Sequence, residues 1–295
     1  MRRQAAHLIR SLRPRQWTKN LLVFAGLIFG EKLSDPRSAG LAAGAFGVFC
    51  LLSSTIYLLN DIRDREADRL HPAKAKRPIA AGDLPVSTAA AAALVLGVLA
   101  VVAAFAISSK FGIAAVAYVV LLSLYSFGLK HVVILDVLVL AGGFVLRALG
   151  GALAVNVEFS HWLLLLTLLG ALFLGLSKRR AEIVALAGDA TNHRRSLAHY
   201  SPYLLDQMIG VVTASTLLAY AFYTISDRTV NHFGTDHLLW TVPFPLYGIF
   251  RYLYLVHQRE GGGNPSDTLL EDRPILVCVA LWGAMVIAIL YGPLR

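Results

Sequence analysis

Long stretches almost free of charge decide what this chain can become. Leu41–Leu59, Val86–Ile107, Val132–Val155, Leu163–Leu176, Gln207–Ile225 and Ile275–Tyr291 are apolar nearly throughout. About 20 such residues in a helix cross the hydrocarbon core of a bilayer, and a helix satisfies its backbone hydrogen bonds internally, as lipid requires. What remains is too little polar surface for a water-facing body. Of 295 residues, 57% are hydrophobic and only 15% charged, against roughly 25% charged in a soluble globular domain. The sequence therefore predicts an all-α, polytopic membrane bundle of nine transmembrane helices, a single membrane domain over residues 1–295. Residues 1–19 form a basic interfacial segment, with an amphipathic helix expected over Ala5–Trp17 and Trp17 at headgroup level. Met1–Asn20 followed by Leu21–Gly30 has the outline of a signal peptide. No small-residue cleavage site follows, so the segment is kept as part of the fold.

The Lys and Arg residues set the orientation. With a cytoplasmic N-terminus, the outer segments hold Lys32, Arg37, Lys110, Arg228 and Arg295, and Arg147 and Arg251 fall within spans. All the rest of the 27 Lys and Arg lie in inner segments, a strong positive-inside bias. The chain is thus expected to lie in a bacterial plasma membrane with its charged loops and its chemistry on the cytoplasmic face. A net charge of +9 fits inner loops facing anionic lipid. No stacking or groove-reading motif points to nucleic acid. Cys50 and Cys278 sit far apart in apolar spans and read as buried thiols. Gly40, Gly44 and Gly47, and Gly142, Gly143, Gly150 and Gly151, have the spacing of close helix packing. Residues 261–265 read as a flexible inner loop.

The segment Asn60-Asp61-Ile62-Arg63-Asp64-Arg65-Glu66-Ala67-Asp68 carries the chemistry. On a continuous helix, Asn60, Asp61, Asp64 and Asp68 fall within an arc of about 100°, where a span leaves the membrane. Three carboxylates crowded on one stripe repel one another unless a cation sits among them. Hard oxygen donors favour Mg²⁺, which completes its shell with water and substrate phosphate. The competing reading, a solvated helix end paired with Arg63, Arg65 and Arg69, leaves the all-oxygen stripe at the bilayer boundary unexplained. The loop from His71 to Gly82 adds Lys74, Lys76 and Arg77 beside the acids, which makes a bipolar site of acids for a metal and cations for phosphate.

The Asn-Asp-x-x-Asp-x-x-x-Asp run, followed by Arg77-Pro78-Ile79-x-x-Gly82, resembles the first signature of the UbiA superfamily of intramembrane prenyltransferases. The resemblance covers nearly the whole chain. It implies a Mg²⁺-dependent transferase, with Asp61, Asp64 and Asp68 catalytic and Asn60 beside them as a metal ligand bridging to a diphosphate. Three further segments resemble the phosphoribosyl-transferring branch of that superfamily: Arg13 to Asn20, Tyr125 to Lys130, and Leu176 to Glu182. Aromatic prenyltransferases of the superfamily carry a second Asp-x-x-x-Asp in the last of these, where this chain has Lys178 and Glu182 around Arg179 and Arg180. Exchanging carboxylate for ammonium removes a metal ligand and favours phosphate. The resemblance implies transfer of a 5-phosphoribosyl group from phosphoribosyl diphosphate to decaprenyl phosphate or a similar polyprenyl phosphate, in cell-wall arabinan synthesis. Lys19, Asn60, Arg77, Tyr125, Lys130, Lys178, Arg179, Arg180 and Glu182 are the expected substrate-binding residues. Asp136, one turn into a span, is expected to pair with a Lys or Arg of the site, and Arg147 reads as structural. The partners expected are the two substrates and membrane lipid, and a homo-oligomer is compatible with such a bundle. The alternative enzyme is a prenyl diphosphate:aromatic prenyltransferase of quinone synthesis. A transporter would need paired repeats with charges at the midplane, whereas the charges here crowd at the inner mouth.

Overall fold

A computed structural model describes residues 2–71, 74–158, 160–185, 197, 199–258, 268 and 271–292. His193, Arg194, Arg195 and residues 261–265 lie outside them. The described residues are helical with short connections and contain no strand. Seven helices among them are long and apolar enough to cross a membrane, against the nine spans read from the sequence. The chain divides into two compact units, Met1–Lys130 with Gly142–Phe159, and His131–Ala141 with Ser160–Arg295.

In the first unit, α1 (Arg2–Leu12) stops where Arg13 takes a left-handed conformation, φ 54° and ψ 60°, immediately before Pro14. The amphipathic helix is therefore shorter than Ala5–Trp17, because a residue before proline is disfavoured in the helical region. A 3-10 helix, Pro14–Phe24, follows and passes into α2 (Ala25–Phe29). Leu8 and Leu12 of α1 pack on the cluster of Leu58, Ile79 and Leu84, and the Trp17 indole donates to Ser54 at 3.0 Å. The apolar side of this segment therefore meets protein.

The spine of the unit is α3 (Pro36–Arg63). Pro36 opens it, and the Asp35 carboxylate caps it by accepting from the backbone of Arg37 and Ser38. The Ser38 hydroxyl also donates to that carboxylate, at 2.6 Å, and holds its pKa below the usual range. At about 1.5 Å per residue, 28 residues reach about 42 Å, beyond a hydrocarbon core of about 30 Å. The last turns, which carry the acids, can therefore stand clear of lipid. After α4 (Arg65–Arg69) and α5 (Pro78–Ala81), α6 (Val86–Ile107) and α7 (Ser109–Phe127) pack beside α3. Phe49 makes edge-to-face contacts with Phe111 and Tyr118 at 5.8 and 5.3 Å. On α6, Leu94, Val98 and Val102 are exposed, as a lipid-facing stripe would be.

The helix α8 (Leu135–Ala154) is shared, with its later residues belonging to the first unit. Gly151 touches the backbone of Val23 so closely that an added Cβ would lie 1.9 Å from the carbonyl oxygen, so no side chain fits there. Gly150 lies under the Phe49 ring in the same way, whereas Gly40 and Gly47 meet nothing within 4 Å. Small-residue spacing thus marks close packing on α8, while on α3 only Gly44 faces a neighbour, Ile107 at 3.4 Å in ordinary contact. Arg147, buried at 5% exposure, donates to Asn20 Oδ1 at 2.7 Å and to the Tyr118 hydroxyl at 2.6 Å. It also stacks on the rings of Tyr118 and Phe144. The structural reading of Arg147 agrees with these contacts.

The second unit contains α9 (His161–Ala185), α10 (Pro202–Ile225), α11 (Asp227–Phe233), α12 (Pro243–Gln258) and α13 (Arg273–Tyr291). Its core joins Val137 to Phe173, Leu205, Tyr252 and Ile275. Arg251 pairs at 2.9 Å with Asp272, whose carboxylate also caps α13.

Candidate functional site

The acidic segment is not one helix. Asp64 ends α3 with φ −87° and ψ 7° and starts α4, so the expected single stripe bends at its centre. The bend separates the acids by partner. Asp61 and Asp68, 2% and 3% exposed, turn inward to a common cation. Arg77 Nη1 lies 3.0 Å from Asp61 Oδ1 and 2.6 Å from Asp68 Oδ2. Arg13 reaches the same Asp61 oxygen at 2.5 Å, and its guanidinium stacks on the ring of Tyr57. Asp64 instead receives Lys130 at 2.5 and 2.8 Å.

Local sequence explains why Arg77 can do this. Before Pro78 its backbone is held extended, φ −70° and ψ 138°. Pro78 starts α5, and Gly82, at φ 86°, ends it in a conformation that favours glycine. Arg69 fastens the loop by donating to Ala80 O at 3.0 Å. Glu66 faces outward between Arg65 and Arg69, and its hydrogen bond from Arg65 holds its pKa below the usual range.

These residues fit a Mg²⁺ ion chemically. Asn60 Oδ1 is buried and without a hydrogen-bond partner among the described residues, an oxygen ligand left over beside three carboxylates. Among the described residues no three acids stand close enough to form a ready-made cage; Arg13, Arg77 and Lys130 neutralise them instead. A polar cavity of about 190 Å³ opens beside Asp61, lined by Arg10, Ser11, Arg13, Lys76, Arg77 and Pro78.

In the second unit the basic segment lies on the last turns of α9. Arg179, buried, donates from Nε to Asp136 Oδ2 at 2.9 Å and from Nη1 to Glu182. Asp136, fully buried, also accepts from the Tyr200 hydroxyl at 2.9 Å. Burial and this carboxylate raise the Tyr200 pKa to about 12, so the hydroxyl keeps the proton it donates. Arg180 pairs with Asp206 at 2.5 Å. Lys178 is the most open of the three cations and stands 3.8 Å from Glu182.

The profile of the UbiA prenyltransferase family matches residues 21–266. The chain belongs to this family. Decaprenyl-phosphate phosphoribosyltransferase of Corynebacterium glutamicum is 35% identical over 290 residues, covering 96% of this chain and 86% of that protein. The enzyme of the same name from Mycolicibacterium smegmatis is 34% identical, with 96% and 92% covered. Among solved structures, a UbiA homolog from Archaeoglobus fulgidus bound to DMAPP and Mg²⁺ aligns with a TM-score of 0.74 at 20% identity, over 96% of this chain and 98% of that one. As a UbiA-family fold with several apolar helices, the chain is a multi-pass membrane protein.

The acidic segment Asn60 to Asp68 lies within the matched residues, and the fold brings Arg77 and Lys130 onto its carboxylates. Tyr125 is buried on α7 and Lys19 half-buried on the 3-10 helix. Asp136 finds its cation, as expected, in Arg179. Arg179 and Arg180, expected to bind substrate, are both engaged by carboxylates of their own unit. Sequence reasoning missed Arg10 and Arg13 as parts of the site. Arg13-Pro14 was the available signal, a cation placed at an enforced chain break.

Proposed function

We propose that this UbiA-family protein transfers a 5-phosphoribosyl group from phosphoribosyl diphosphate to decaprenyl phosphate, or a similar polyprenyl phosphate, and releases diphosphate. The observation that carries the reading is similarity along nearly the whole length of phosphoribosyltransferases at 34–35% identity. Lys178 in place of an acidic metal ligand supports it.

Asn60, Asp61, Asp64 and Asp68 would hold Mg²⁺. When bound, the metal supplies charge neutralisation to the departing diphosphate. Arg77 and Lys130, which pair with these carboxylates, are the cations nearest to receive diphosphate oxygens. Lys19 and Tyr125 donate hydrogen bonds to substrate. Lys178, with Arg179 and Arg180 behind it and Glu182 orienting them, serves a further phosphate. Charge developing on C1 and the ring oxygen of the sugar is met by the acceptor phosphate. That nucleophile is already an anion at neutral pH, so no strong general base is needed. Purified protein should form lipid-linked phosphoribose from labelled phosphoribosyl diphosphate and decaprenyl phosphate. Transfer from a prenyl diphosphate to 4-hydroxybenzoate instead would replace this reading with the quinone-type one.

Nine spans follow if Pro14–Phe29 and Pro243–Gln258 also cross the bilayer. The 3-10 stretch of the first rises about 2.0 Å per residue, which lengthens its reach. The N-terminus and the Asp61 mouth are then cytoplasmic. In a Cys-free variant, a cysteine at exposed Asp83 should resist an impermeant thiol reagent in intact cells, and one at exposed Asp236 should react. The opposite labelling pattern would invert the topology.

A further inference from the structure

The cavity beside Asp61 holds more positive charge than the acids around it require. Among the described residues four cations line it, and the one carboxylate on its wall is Asp61. Two of the four are engaged, Arg13 with Asp61 and Arg77 with Asp61 and Asp68. Arg10 and Lys76 are exposed and make no side-chain hydrogen bond or ion pair among the described residues. Bringing Arg10 and Lys76 beside two cations that are already paired adds nothing to the stability of the fold, since like charges brought to one cavity repel. The chain nevertheless enforces it. Arg13 keeps a left-handed backbone that non-glycine residues rarely adopt, its N–H bonded to Arg10 O at 3.3 Å. That turn sets the end of α1 over the end of α3.

We propose that Arg10 and Lys76 form a subsite for a phosphate monoester, filled by the 5-phosphate of the donor sugar. The proposal rests on the phosphoribosyl-transfer reading and extends it to donor choice. A phosphate monoester carries about −1.5 to −2 charges at neutral pH, which two cations match. An arginine fork suits its oxygens in particular. The position is also right in kind, because Arg10 and Lys76 share one cavity with Arg13 and Arg77, next to the acids assigned to the diphosphate. A donor with phosphate at both ends spans the two groups. The volume, about 190 Å³, equals about six waters at roughly 30 Å³ each, room for a phosphorylated pentose fragment. Apart from Pro78 the lining side chains are polar or charged, which suits a sugar phosphate and not an isoprenoid chain. A prenyl diphosphate has no second phosphate to place there.

The same chemistry is offered by the acceptor's phosphate and by anionic lipid headgroups, so the experiment separates the sources. The full-length protein in detergent is compared with Arg10→Ala/Lys76→Ala, with the charge-preserving Arg10→Lys/Lys76→Arg, and with Arg65→Ala. Arg65 lies outside the cavity and pairs with Glu66, so it controls for loop charge. KM is measured for each substrate, and ribose 5-phosphate binding by calorimetry with and without added anionic lipid. The double alanine variant should raise KM for phosphoribosyl diphosphate at least tenfold and weaken ribose 5-phosphate binding to match. Its KM for decaprenyl phosphate should stay within twofold. The charge-preserving variant should recover most of the loss, and Arg65→Ala should behave as wild type. Unchanged donor KM with unchanged ribose 5-phosphate binding overturns the subsite. A rise in acceptor KM alone, or an effect seen only with anionic lipid, assigns the cations elsewhere and overturns it too. If wild-type protein transfers no phosphoribosyl group, the functional reading fails, and ribose 5-phosphate binding alone then decides the subsite.

Discussion

Asp64→Ala is expected to reduce turnover by at least about a hundredfold while the protein folds normally, and Asp61→Ala to do the same at a cost in stability. The difference lies in their surroundings. The Asp64 side chain is 31% exposed, so water can enter the space it leaves, and among the described residues it pairs with a single cation, Lys130. The Asp61 side chain is 3% exposed and sits between Arg13 and Arg77. Removing it leaves two guanidinium groups facing each other without the carboxylate they share, a larger penalty than a surface pair carries. The shared loss of activity has another origin. Each carboxylate is an oxygen ligand beside the diphosphate, and deleting one preorganised electrostatic group at a reacting centre commonly costs about 10²–10³ in rate. Turnover by wild-type protein should stop with a chelator and return with Mg²⁺, and melting curves should be recorded beside the rates. Near-normal turnover of well-folded Asp64→Ala, or indifference of wild type to chelation, would remove the metal assignment.

Adjacent residues of the basic segment should respond in opposite ways. Arg179→Ala should cost about 3–5 kcal/mol, enough to lose most folded protein, because it strands Asp136 as a charge in a fully buried position. Among the described residues, the Tyr200 hydroxyl would be the side-chain donor left to Asp136. Asp136→Ala should be as damaging from the other side. Replacing both at once, Arg179→Met with Asp136→Leu, should restore much of the stability, since no charge is left stranded in the fully buried position. Lys178→Ala should fold, because a half-exposed ammonium 3.8 Å from Glu182 contributes under about 1 kcal/mol. If Lys178 holds a substrate phosphate, that variant loses well over tenfold in transfer. Detergent melting temperatures and initial rates of the four variants distinguish the roles. A stable, inactive Arg179→Ala would mean that the buried pair does not support the fold and that Arg179 acts on substrate directly.

These contrasts show where reading the sequence stopped. Lys178, Arg179 and Arg180 are three consecutive cations at the end of one span, and composition treats them alike. Burial separates them: Arg179 turns into the bundle, Arg180 meets Asp206, and Lys178 remains open. Likewise the acidic run reads as one helical stripe when every residue advances by about 100°. The break at Asp64, with Asp64 on Lys130 and the other two acids on Arg77, shows only once the loop before Pro78 has brought Arg77 back to the acids.

The sequence by itself determined the helical membrane architecture, because the length of an apolar run and the need to satisfy backbone groups in lipid are local properties. It also determined the oxygen-rich acidic segment and the cations beside it, through spacings of a few residues. Only the tertiary structure decided which charge neutralises which. Arg13 and Asp61 are 48 residues apart, Arg179 and Asp136 are 43 apart, and Arg147 and Asn20 are 127 apart. Any arginine could serve any carboxylate as far as the linear order is concerned. The choice depends on helix packing, on Gly151 letting α8 close against the Val23 backbone, and on the turn at Arg13 that carries a guanidinium back to the end of α3.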